Sequence, residues 1–172
     1  MKNIGTEEPS LYGSPPEKPE TDIETLIEDA VIAQALKIIE GRFRKPLSGP
    51  LNRSELVAKY FTLKIRTDSV ESLWGLAMDS MNQVVKIMKF SQGSVNAATI
   101  YPREVIREII DTKASSMILV HNHPTGFPAP SMQDREITEV VKAALKTVDI
   151  CLLDHLIIGD SAYSFRDNGL LK

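Results

Sequence analysis

His121 and His123 stand two residues apart at the end of the apolar run SSMILVH. Alternate side chains of an extended strand share a face, so both imidazoles project from the same side and can share one ion. The chain then turns through Pro124, Gly126, Phe127, Pro128 and Pro130, whose restricted dihedrals predict a stiff loop. Ser131 opens a helix beyond that loop, and Asp134 follows three residues on. The S-x-x-D spacing has two readings: a capping-box variant at the helix start, or an aspartate turned toward the histidines as an oxygen ligand. Both can hold at once. Two imidazoles and a carboxylate leave the fourth tetrahedral position to water, which is how catalytic rather than structural zinc is held. Iron would use the same ligand types. A bare H-x-H recurs by chance, but H-x-H, seven residues, then S-x-x-D, with a strand before and a helix after, is far more specific.

The other reactive residue types read as structural. His155, in Asp154-His155-Leu156, fits a satisfied core histidine first and an outer contact to the site second, with Asp154 a candidate partner for the free N–H of a metal-bound imidazole. The lone Cys151 sits in ICLLDHLII, can form no internal disulfide, and reads as a small buried hydrophobe. Asn122 carries no role beyond a loop hydrogen bond. Arg42, Arg44 and Lys45 form a compact basic cluster that complements a helix C-terminus better than it serves a phosphate, since no Gly-rich or aromatic context accompanies it.

The elements that must position these groups follow from periodicity. Residues 1–20, rich in Pro and Glu, read as a disordered tail. From Thr21, which forms a capping-box pattern with Glu24, the residues Ile23, Leu26, Ile27, Val31 and Ile38 recur on one face and predict an amphipathic helix to about Gly41, followed by a linker to residue 50. Asn52 caps a second helix to about Leu63. VESLWGLAM and QVVKIMKF flank the turn Asp79-Ser80-Met81-Asn82 as a hairpin, and Pro102 opens the helix PREVIREIIDTK. SSMILVH is a short buried strand, a helix runs from Ser131, and ICLLDHLII and AYSF are terminal strands. Strands alternating with helices, with hairpins at both ends, predict an α/β (mixed α+β) fold: a mixed β-sheet flanked by helices.

Bulk properties set the bounds. The 172 residues, 42% hydrophobic and 25% charged, suit one compact domain. A net charge of −3 gives no global reason to expect DNA or an anionic membrane as partner. No apolar run approaches the roughly 20 residues of a membrane span, and the N-terminus has no apolar signal core, so a cytoplasmic location follows by default.

The string H-x-H-x7-S-x-x-D resembles the signature of the JAB/MPN (JAMM) metalloproteases. HNHPTGFPAPSMQD, YPREVIREII and DHLIIGDSAYSF are similar, more narrowly, to the bacterial RadC-like branch, over residues 51–172. The resemblance implies a JAB/MPN-like (cytidine-deaminase-like) domain. It implies His121, His123 and Asp134 as zinc (Zn2+) ligands, Ser131 as the hydroxyl that stabilises a tetrahedral intermediate, and an upstream glutamate as general base. Glu71, at the start of ESLWGLAM, stands where that family places its base. Glu104, between Arg103 and Arg107, suits an exposed i,i+3 pair instead. The implied activity is zinc-dependent hydrolysis of a peptide or isopeptide bond, with a protein or peptide as substrate.

RadC-type proteins carry an N-terminal helix-hairpin-helix region, whereas residues 21–45 here read as one helix. An HNH nuclease is disfavoured because those nucleases disperse the three residues through a ββα unit. A zinc deaminase is disfavoured because H-x-E and P-C-x-x-C are absent. The non-enzyme alternative is a DNA-repair-associated or protein-binding module with a structural zinc.

Overall fold

The computed structural model describes residues 22–45, 53–93 and 100–171. The tail at 1–20, Thr21, the end of the linker and Asn52 lie outside them. Helix α1 spans Ile23–Phe43 and is capped by Asp22, whose carboxylate accepts the Thr25 N–H at 2.7 Å. It runs past Gly41 because Phe43 is buried edge-on against Tyr60, ring centroids 5.3 Å apart. The face expected to pack is reversed: Ile23, Leu26, Ile27, Val31 and Ile38 are exposed, and Leu36, Ile39 and Phe43 meet the core. Helix α2 (Arg53–Ile65) buries Leu56, Val57, Tyr60, Phe61 and Ile65, a spacing of three and four that makes one continuous face.

Strands β1 (Ser72–Met78) and β2 (Val84–Gln92) form the expected antiparallel hairpin. Asp79 holds its turn by accepting the N–H groups of Met81 and Gln83, both at 2.9 Å. Pro102 opens α3 (Pro102–Ile109), where its missing N–H leaves no helical bond unmade. Strand β3 (Ser116–Asn122) is buried at every position, as suits a strand covered on both faces. Helix α4 (Met132–Lys146) crosses back to β4 (Cys151–Ile158), and β5 (Ala162–Ser164) closes the chain.

The five strands lie in the order β2-β1-β3-β4-β5. β3 and β4 are parallel and the other pairs antiparallel, so the sheet is mixed. On one face Val105 and Ile109 of α3 and Val141 and Leu145 of α4 pack on Ala77, Met117 and Ile157. On the other, α1 and α2 pack on Leu76, Ile118 and Leu156. The fold is therefore α/β, a mixed sheet with helices on both faces, as periodicity predicts. Cys151 departs from expectation: it is exposed, because β4 begins at the rim of the sheet before the helices cover it. Among the described residues no helix is long and apolar enough to cross a membrane.

Candidate metal centre

Parallel pairing with β4 carries the backbone of β3 straight into the site. The His123 N–H donates to the Ile158 carbonyl at 2.9 Å, one step beyond the last strand pair, so His121 and His123 keep the alternation of a strand. Their rings meet edge to face, centroids 4.7 Å apart. The loop that follows is stapled rather than free. The Gly126 N–H bonds the His123 carbonyl at 2.9 Å, and the Gly126 carbonyl accepts the Asp160 N–H at 2.7 Å. Gly126 has φ 85°, the left-handed region that glycine adopts without strain. A Cβ on Gly159 would collide with the Gly126 carbonyl, so the two turns touch backbone to backbone. Arg66 also pairs with Asp160.

Both readings of S-x-x-D hold in one structure. Ser131 is the N-cap of α4: its hydroxyl accepts the Asp134 N–H at 3.1 Å, while Asp134 Oδ2 accepts the Ser131 N–H at 2.7 Å. The Ser131 O–H also donates to Oδ2, at 2.6 Å. That capping box locks a carboxylate, only 3% exposed, that faces both histidines: Oδ1 lies 3.0 Å from His121 Nδ1 and Oδ2 lies 3.4 Å from His123 Nε2. Burial alone would raise the Asp134 carboxyl, but hydrogen bonds from His121, His123 and Ser131 outweigh it and hold the group far below the usual carboxylate range. Asp134 in turn raises His123 above its ordinary value, against the opposing effect of burial.

Glu71 stands one residue ahead of β1, whose Leu73 is paired with His121 on β3, and its Oε2 lies 3.9 Å from His121 Nε2. Glu71, His121 and His123 offer donor atoms that all lie within 4.8 Å of one another. Glu104 is paired with Arg107 at 2.6 Å on α3 and does not line the cleft, as its sequence context predicts.

The donor set fits a divalent ion. His123 Nδ1 lies 2.8 Å from the Phe127 carbonyl, an acceptor only, so that nitrogen carries a proton, and Nε2, 3.4 Å from Asp134 Oδ2, is the atom that can bind an ion once its own proton is lost. His121 has Nδ1 3.0 Å from Asp134 and Nε2 3.9 Å from Glu71, so each ring nitrogen has a carboxylate beside it. A carbonyl acceptor behind an imidazole, as Phe127 is to His123, is the outer contact that orients a metal-binding histidine. Two carboxylates thus flank two imidazoles, and among the described residues lining the cleft there is no Lys or Arg to balance them. Imidazole nitrogen with carboxylate oxygen suits zinc or iron.

Two residues without a role in the sequence reading complete the support. Asn122 is buried; its Oδ1 accepts the Ser72 N–H at 2.8 Å and the Ser72 O–H at 2.9 Å, and its Nδ2 donates to the Val70 carbonyl at 3.1 Å. It therefore brackets Glu71 from both sides. The Thr138 hydroxyl donates to the Asp134 carbonyl at 2.6 Å and lies 2.7 Å from His155 Nδ1, which must then donate to it. Their signals in the sequence are faint: an amide between the two histidines, and a hydroxyl one helical turn after Asp134.

His155 is a core histidine, fully buried and stacked on Phe165 with centroids 4.7 Å apart. Desolvation pushes its imidazole down to about 3, so it is neutral, and its Nε2 finds no hydrogen-bond partner among the described residues. Asp154 does not serve an imidazole ring as expected. Its carboxylate accepts the His155 N–H, the Ser164 O–H and the Arg166 N–H, and so anchors β5 and the C-terminal turn.

The donors form the floor of a cleft of about 300 Å³, walled by Leu73, Phe127 and Ile137. A mixed sheet that presents an imidazole pair and two carboxylates at the end of its parallel strand pair has the form of a JAB-type domain. The family model for the RadC-like JAB domain matches residues 51–170, and the chain belongs to that family. A UPF0758 protein of Vibrio cholerae serotype O1 is 36% identical over 144 residues, 84% of this chain and 90% of its own length. One from Idiomarina loihiensis is 37% identical over 143 residues, 79% of this chain and 64% of its own. One from Shewanella pealeana is 38% identical over 120 residues, 69% of this chain and 53% of its own. The chain thus spans most of the Vibrio relative and a little over half of the Shewanella one.

Proposed function

We propose that this chain is a zinc-dependent hydrolase of the JAMM type that cleaves a peptide or isopeptide bond. The observation that carries the reading is the convergence of His121, His123 and Glu71 donor atoms within 4.8 Å at the floor of the cleft, with Asp134 against both imidazoles. His121, His123 and Asp134 would hold the ion. Asp134 is preferred to Glu71 as third ligand because it touches both rings and its capping box fixes it, whereas Glu71 approaches only His121. Zinc bound there supplies Lewis-acid chemistry, acidifying water to near neutrality and polarising a carbonyl.

The protein's own groups do the rest. Glu71, the carboxylate left outside the ligand set, takes the proton from the attacking water and delivers it to the leaving amine. Ser131, held at the cleft by the Asp134 N–H, turns its O–H from Asp134 to the developing oxyanion, a contact typically worth about 3 kcal/mol. Leu73, Ile137 and Phe127 give the substrate chain an apolar bed that limits water at the reacting carbonyl.

The test offers zinc-loaded protein a panel of peptides, ubiquitin-like fusions, and single- and double-stranded DNA, with chelated protein and Glu71→Gln as controls. Amide cleavage that disappears in both controls supports the reading. DNA binding that survives both, with no cleavage of anything offered, replaces it with a binding module.

A further inference from the structure

Helix α1 is apolar on two opposite sides. At about 3.6 residues per turn, Leu36, Ile39 and Phe43 share the side that packs on the domain, while Ile23, Leu26, Ile27, Val31 and Ile38 share the other. That second face is open: Ile23 is 76% and Val31 63% exposed. Every residue from Asp22 to Gln34 is exposed, so the first half of the helix projects from the body with no cover among the described residues. An unsupported helix of about a dozen residues is marginal in water, and a contiguous row of exposed aliphatic side chains marks an interface.

The charges along α1 indicate what covers that row. Asp22, Glu24, Glu28 and Asp29 lie ahead of or within its first two turns, Lys37 and Arg42 lie in its second half, and Arg44 and Lys45 lie beyond its end. Glu40 breaks the pattern, and its carboxylate is taken by the Tyr60 O–H at 2.6 Å. A helix with an acidic start and a basic end is complementary to itself only when turned end for end. A parallel pair sets like charges side by side; an antiparallel pair sets each acidic half against the other's basic half and opposes the two macrodipoles. Ala30 lies within the row and is small enough to let two backbones approach closely.

We infer that the outer face of α1 binds the same face of α1 in a second copy of the chain, antiparallel, to give a two-fold dimer. The contact is isologous, so each substitution acts twice.

Sedimentation equilibrium of the full chain tests this from about 1 µM to about 1 mM, a range that brackets a small specific interface. The expected result is a reversible monomer–dimer equilibrium. Ile27→Glu with Val31→Glu, both on exposed positions, raises the dimer Kd about 100-fold or more and leaves the circular dichroism of dilute protein unchanged. Glu24→Lys with Glu28→Lys raises Kd about tenfold, and adding Lys37→Glu and Arg42→Glu in the same chain restores it. Parallel helices would not respond to the first reversal, because like charges would face each other before and after it. The inference is overturned by a chain that stays monomeric throughout, by a dimer indifferent to Ile27→Glu with Val31→Glu, or by a dimer indifferent to the charge reversal. A chain that dimerises only once residues 1–21 are removed also overturns it, and assigns the face to the protein's own N-terminus.

Discussion

Removing the Asn122 side chain separates the placement of Glu71 from the binding of metal. Asn122 is 1% exposed and makes three hydrogen bonds, two to Ser72 and one to the Val70 carbonyl. Asn122→Ala strands one backbone N–H, one backbone C=O and one hydroxyl. A buried polar group left unsatisfied costs about 1–3 kcal/mol. Ser72 lines the cleft, so water can relieve part of that cost, and about 3 kcal/mol is a fair total. For a domain of this size, where each kcal/mol moves Tm by about 2–4 °C, the melting temperature should fall by roughly 6–12 °C. The donor groups of His121, His123 and Asp134 are untouched, so metal content should stay within about twofold of wild type. Turnover should fall by more than about tenfold, since the Val70–Ser72 segment no longer aims Glu71 and misplacement of a proton acceptor is costly. Thermal melts, elemental analysis and steady-state rates on the same samples decide the matter. A Tm within about 2 °C of wild type refutes the hydrogen-bond accounting, and equal losses of metal and turnover refute the separation of roles.

Chelation or His123→Ala should remove the bound metal, and equal metal in wild type and in a His121→Ala, His123→Ala double variant would end the metal reading. Glu71→Gln should keep metal while turnover drops by about 10²–10⁴; loss of metal as well would make Glu71 a ligand. Stability of the metal-free protein should depend on pH through His155, whose folded form stays neutral down to about 3 while the unfolded imidazole takes its proton near 6.5. Its contribution is full above pH 6.5 and is lost as pH falls toward 3, at about 1.4 kcal/mol per pH unit. His155→Gln should flatten that limb in urea titrations, and an unchanged slope would refute a buried neutral imidazole. The raised His123 acts in the opposite sense in the same metal-free protein, its contribution fading as pH rises past its folded value.

Much of the site was legible in the sequence because its main parts are local. His121 and His123 share a strand end, and Ser131 and Asp134 share a helix start, so strand alternation and capping chemistry place them with no knowledge of the rest of the chain. Glu71 is harder to place: it reaches the site only through the β1–β3 pairing, which a single sequence does not reveal. Asn122 and Thr138 carried no usable signal, since a buried amide or hydroxyl is defined by partners as distant as Val70, Ser72 and His155. The reversed face of α1 has a plain cause. Both of its sides are apolar, so periodicity finds the more prominent row but cannot say which row the domain covers. Cys151 was misplaced because an apolar run does not reveal where the sheet's rim lies.

The second histidine's loop is held from the far end of the chain, by the Ile158 carbonyl, the Asp160 N–H and the backbone contact between Gly126 and Gly159. As the protein is synthesised, both histidines and Asp134 therefore leave the ribosome ahead of the residues that fix them. Until α4 has crossed over and β4 has zipped beside β3, a non-local and slow step, the histidine loop has nothing to rest on. An ion that arrives earlier meets a string of imidazoles with no imposed geometry and is sorted only by the affinity order common to divalent metals. Discrimination between metals thus belongs to the finished fold.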